Sequence, residues 1–155
     1  MPLLHVAVVF ACGICLLALM AMILGTGRFP PATTFARRQG SVRRGIMYAF
    51  GTGMTPWEKE SARRHLPTYF AGVTYHLGIF AALLLLALRV LGIMPPFPVA
   101  PGLAYISASG AICGVGLLVK RIVSSRLRGI SVPDDYLANL LVDAFLLCAV
   151  ISTLR

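Results

Sequence analysis

Charge is scarce in this sequence. Asp, Glu, Lys and Arg make up 12% of its 155 residues against 58% hydrophobic residues, and five of the charges are acidic. So small a polar share excludes a soluble domain, which must present polar side chains to water. Cysteine is sparse too, at four. Cys12 and Cys15 form a CGIC pair inside an apolar run, where small core residues are the simpler reading than a redox motif. Cys113 and Cys148 stand alone in two other runs, too few for an iron–sulfur cluster or a structural zinc held by this chain. There is no phosphate-binding glycine loop, no Ser/His/Asp or Cys/His constellation and no paired carboxylates, so catalysis within the chain is not expected.

What is present is long apolar runs. In hydrocarbon every backbone N–H and C=O must be paired within its own segment, so runs of roughly 20 residues are expected to be helices. Four qualify, and the expected fold class is all-α, a polytopic transmembrane helix bundle forming one membrane domain over residues 1–155. The first span covers about 3–24 and ends at Gly25-Thr26-Gly27-Arg28. It could serve as a signal peptide, but it lacks a basic n-region and precedes a strongly basic loop. The second covers 67–91, with Pro67 in the first turn, where a missing N–H costs nothing. The segment MPPFPVAPG then breaks the chain. The third, 103–119, is short and rich in small residues, which suits an interior helix closely approached by a neighbour. The fourth, 136–154, follows Asp134 and Asp135, whose carboxylates favour a helix N-terminus.

Of the 14 Lys and Arg residues, eight lie between Arg28 and Arg64 and four between Lys120 and Arg128. The positive-inside rule places both loops, 27–66 and 120–135, in the cytoplasm, with the N-terminus and C-terminus outside. The net charge of +9 is then explained by topology and anionic headgroups of the lipid bilayer, and no nucleic-acid motif accompanies it. Within the 27–66 loop, Gly45 to Phe50 is apolar enough to lie at the interface. Trp57 and Tyr69 are candidates for an aromatic belt beside it. Lys120, Arg121, Arg126 and Arg128 join this loop as an expected docking surface for a soluble partner.

Polar side chains inside the spans are the candidate functional residues, because each costs free energy unless partnered. His76 lies about three turns into the second span. Neutral imidazole is a good axial ligand for haem iron, and a hydrogen bond to a neighbouring helix is the alternative. His65, eleven residues earlier, would return almost to the same face about 16 Å away if the helix were continuous, which Pro67 opposes. Asp143 is the one acid deep in a span, and Asn139 shares its sector with Asp135 a further turn back. Asp143 and Asn139 are the candidates for a proton relay or quinone site, against a structural hydrogen bond to a neighbouring helix or to Arg89. Arg89 itself is expected to snorkel outward.

Read together, Thr74-Tyr75-His76-Leu77-Gly78-Ile79-Phe80, Lys120-Arg121 and Ser125-Arg126-Leu127-Arg128-Gly129-Ile130-Ser131, followed by the helix opening at Asp135, resemble the gamma (cytochrome b) subunit of respiratory nitrate reductase. They are similar too to the membrane cytochromes of heterodisulfide-reductase-type and sulfite-reduction-associated complexes. The resemblance covers roughly residues 65–154. It implies a five-helix dihaem protein of a bacterial or archaeal cytoplasmic membrane. Such a protein passes electrons between a quinone pool and an iron–sulfur partner docked on the cytoplasmic face.

Carried over by position, His76 matches the first haem-ligating histidine of the second helix. The second ligand, ten residues on, falls at Leu86, which cannot ligate iron. The family's other two histidines lie on a fifth helix, beyond Arg155. At most one haem b is therefore implied, His76 supplying one ligand and His65 or another membrane subunit the second. The alternatives are a haem-free anchor or scaffold of such a complex, a fragment or split half, and, as the weakest reading, a proton-conducting subunit using Asp143.

Overall fold

The computed structural model describes residues 2–30 and 40–154, so Pro31, Arg37 and Arg38 of the long basic loop, and Arg155, lie outside the described residues. All regular structure among the described residues is helical, and four helices are long and apolar enough to cross a membrane. The chain divides into two units, Met1–Ile46 and Met47–Arg155.

The first unit is built around α1, Pro2–Thr26. From Val6 onward its side chains are exposed or half-buried, as expected of a helix whose apolar surface is solvated by lipid or by another chain. Its end is closed locally: Thr26 Oγ1 donates to Ile23 O at 2.6 Å and Arg28 N to Gly25 O at 3.1 Å. The amphipathic α2, Val42–Phe50, spans the junction of the units and buries no residue.

The second unit is a three-helix bundle with short accessory helices at one end. A 3₁₀ turn at Thr52–Met54 and α3, Glu60–Arg64, precede α4, Leu66–Val90. Then come α5, Val99–Val123, the short α6, Ser125–Arg128, and α7, Pro133–Leu154. α5 is central, packing along α4 and α7, which meet each other over a shorter stretch. At 25 residues, α4 and α5 are each about 37 Å long by the 1.5 Å rise. That exceeds the roughly 30 Å hydrocarbon core of a bilayer.

The third span is longer than the 103–119 expected, beginning at Val99 and ending at Val123. Its first turn absorbs Pro101, where no N–H is needed, and its last turn carries Lys120 and Arg121. Charged residues at a helix end keep their stems along apolar surface and their heads outward.

The core is made by small residues. The buried positions are Tyr75, Gly78, Ala81, Ala82 and Leu85 on α4, and Ala104, Ser107, Gly110, Ala111 and Gly114 on α5. Asp143, Leu146 and Ala149 complete it from α7. Their three-and-four spacing makes one face per helix. At the crossing of α4 and α5 the backbones touch: a Cβ built on Gly78 would lie 2.7 Å from Gly110 Cα, and one on Gly110 would lie 2.8 Å from Gly78 Cα. Only two glycines allow that approach. Ser107, fully buried there, donates from Oγ to Leu103 O at 2.9 Å, so its hydroxyl is satisfied on its own helix.

Candidate functional site

Two neighbouring residues of α4, Tyr75 and His76, face different surroundings. Tyr75 is 9% exposed and turns into the bundle. His76 is exposed and turns away from it. Their rings meet edge to face, 6.3 Å between centroids.

His76 is held by its own helix. Its Nδ1 lies 2.9 Å from Gly72 O, one turn earlier. A carbonyl oxygen only accepts, so Nδ1 carries the hydrogen and donates it. The ring is thereby fixed in the tautomer whose Nε2 has a bare lone pair, the form in which imidazole binds a metal. Gly72 has nothing within 4 Å of the position a Cβ would take, so the helix surface beside the ring is clear. His65 sits outside the helix. It precedes α4 with φ −132° and ψ 48°, its side chain exposed. It does not continue the helical face of His76, as the proline at position 67 foreshadowed. Leu86 is half-buried, ten residues along α4.

The second constellation is buried. Asp143 is 4% exposed on α7. Asn139 Nδ2, one turn earlier, lies 3.0 Å from Asp143 Oδ2, 3.2 Å from the Tyr75 hydroxyl and 3.4 Å from Gly114 O. An amide nitrogen has two hydrogens, so it donates to two of these three acceptors at a time. Tyr75 Oη donates across the helices to Asn139 O at 3.4 Å. Asp143 Oδ1 has no hydrogen-bond partner among the described residues. It occupies the place of the side chain that Gly114 lacks, because a Cβ on Gly114 would collide with both Oδ1 and the Tyr75 ring. Asp143 and Asn139 thus meet on one helix face. Arg89 is elsewhere, donating from Nη2 to Ser152 O near the end of α7.

Tyr75 and Gly114 were not singled out from the sequence as site residues. The small-residue run SASGAICGVG marked where a helix approaches, but which polar residue it would meet depends on the rotation of α4 about its axis.

The four basic candidates for docking lie at one end of the bundle. Lys120 Nζ donates to Thr68 Oγ1 on α4. Arg121 Nη1 is 3.4 Å from Asp135 Oδ2, and that carboxylate oxygen accepts from Val132 N at 3.0 Å, closing the start of α7. Arg126 and Arg128 are exposed on α6, with Arg128 Nη2 3.4 Å from Ser125 Oγ. Two of the four cations are therefore spent on the bundle's own closure, and the α6 pair is the freer. Trp57 is 72% exposed, while the Tyr69 hydroxyl donates to Met54 O at 2.7 Å.

Among the described residues no three His, Cys, Asp or Glu side chains come together as a metal site. No family model, curated protein or solved structure matches the chain.

Proposed function

We propose that the chain is a membrane subunit of a respiratory or anaerobic redox complex, cytochrome b-like, in which His76 Nε2 would hold the iron of one haem b. One observation carries this reading: at membrane depth, a histidine on an outward helix face is locked by Gly72 O, and among the described residues its other ring nitrogen has no protein hydrogen-bond partner. A lipid-facing imidazole with nothing to bind costs free energy, and iron is a partner that removes the cost. A haem so held supplies one-electron transfer, here between a quinone pool and an iron–sulfur partner.

This chain's own residues contribute orientation and exclusion. Gly72 O sets the imidazole tautomer and aims the ring. The contact of Gly78 with Gly110 sets the rotation of α4 against α5, and Tyr75, seated by Asn139 and Gly114, lies on the inward face, which points His76 outward. The interior of the bundle is filled by alanine, glycine and serine together with Tyr75, Leu85, Asp143 and Leu146, so a haem held by His76 would sit outside it and would take its second ligand from another membrane segment. Leu86 cannot be that ligand, and His65 is off the helix.

The positive-inside rule places α6 and the Thr52–Arg64 segment on the cytoplasmic side of a bacterial or archaeal membrane, with both termini outside. Exposed Arg126 and Arg128 then present the docking charge for the iron–sulfur subunit. The closed interior equally suits a haem-free anchor, so the test addresses haem directly. A pyridine haemochrome assay on the subunit purified with its partners should show b-type haem that His76→Leu removes. Absence of haem from the wild-type complex would leave the anchor. A proton path has less to support it: beyond Asp143 the next buried positions on α7 are Leu146 and Ala149, both apolar.

A further inference from the structure

At the end of the bundle opposite the basic loops, two adjoining clefts of about 500 and 450 Å³ open between the end of α4, the start of α5 and the end of α7. They share Pro95, Ala100 and Thr153. Each falls within the roughly 300–1,000 Å³ typical of small-molecule sites. The walls are apolar, formed by Leu85, Ile93 and Met94 in the first and Phe97, Tyr105 and Leu154 in the second. The first holds one charge, Arg89.

Among the described residues that guanidinium has no acidic partner. The ion pairs among the described residues are Arg64 with Glu60 and Arg121 with Asp135. Arg89 has one backbone carbonyl, Ser152 O, for its five N–H donors. No other charged side chain among the described residues of the second unit lies at this end. Two helix C-termini face the guanidinium, that of α4, whose last turn carries Arg89, and that of α7, but their partial charges remain short of a full anion and the first turn of α5, at Ala100, adds positive character to the same cleft.

We propose that Arg89 and these clefts hold one anionic phospholipid, its phosphate on the guanidinium and an acyl chain along the apolar walls. An arginine fork matches phosphate oxygens in bidentate geometry, and at an apolar margin such charge-assisted bonds are stronger than in water. A neutral quinone would leave the cation uncompensated. A zwitterionic lipid would bring a second cation to a cleft that already has an unpaired one. The site is independent of haem at His76, which lies about three and a half turns away along α4.

The test is native mass spectrometry of the delipidated full chain titrated with phosphatidylglycerol or with phosphatidylcholine. Phosphatidylglycerol should bind one site, roughly tenfold more tightly than to Arg89→Gln, the loss expected for a charge-assisted contact. Ala100→Trp, which fills both clefts and leaves the guanidinium in place, should lose the site as well. This second variant serves if Arg89→Gln fails to fold. Equal affinity for the two lipids, unchanged phosphatidylglycerol binding in both variants, or displacement of the lipid by menaquinone would each overturn the proposal.

Discussion

Replacing Gly110 by alanine sets a methyl group 2.8 Å from Gly78 Cα, where ordinary contact begins near 3.4 Å. None of the obstacles is a flexible side-chain end. The nearest atoms are Gly78 Cα, Gly78 N and Thr74 O, all backbone. The helices must part by at least about 0.6 Å, and in a close-packed interior that loosens every contact along the α4–α5 seam. Overpacking of this kind costs typically 1–3 kcal/mol. Alanine also raises helix propensity over glycine by about 1 kcal/mol, which works in the opposite direction. Gly116, six residues on in the same helix, cancels that term because a Cβ there meets nothing within 4 Å. In reversible unfolding from mixed micelles, Gly110→Ala should therefore be less stable than Gly116→Ala by about 1–3 kcal/mol. Gly78→Ala should behave like Gly110→Ala. Equal stability of the Gly110 and Gly116 variants, within about 0.5 kcal/mol, would refute the backbone crossing.

Gly114→Ala should destabilise by about 1–3 kcal/mol through collision with Asp143 and Tyr75, and Asp143→Ala should recover part of that loss, a coupling readable in a double-mutant cycle. On its own, Asp143→Ala deprives Asn139 Nδ2 of its nearest acceptor at 3.0 Å. Its cost in the same unfolding assay should be about 0.5–1.5 kcal/mol, the net worth of a typical intramolecular hydrogen bond. Charge reversal at Arg126 and Arg128 should lower recovery of the partner subunit in a detergent pull-down more than reversal at Arg121, whose charge is already used by Asp135. Unchanged recovery after the double reversal would remove α6 from the docking surface.

The spans were legible in the sequence because hydrocarbon allows little else: an uncharged run such as Leu3 to Leu24 must satisfy its backbone internally. Their ends were less so. Residues 94–102 read as a break, yet α5 starts at Val99, since a proline in a first turn forfeits no hydrogen bond. The i, i+4 spacing of Asn139 and Asp143 placed them on one face before any coordinates. Their meeting with Tyr75 was not legible, because it depends on how α4 rotates against α5, and that is set by the contact of Gly78 with Gly110 across 32 positions. The orientation of His76 follows from the same rotation. Once Tyr75 is drawn inward, the residue after it, about 100° around the helix, faces out. Sequence spacing alone marked His76 as a polar residue at depth, and the Gly72 carbonyl is what distinguishes its two nitrogens.

The proposal that His76 is a haem ligand is tested most directly by chemical rescue. His76→Gly should abolish the reduced b-type spectrum of the purified complex, and added imidazole, entering the space the side chain vacates, should restore it. A variant that keeps its haem spectrum without imidazole would contradict the assignment.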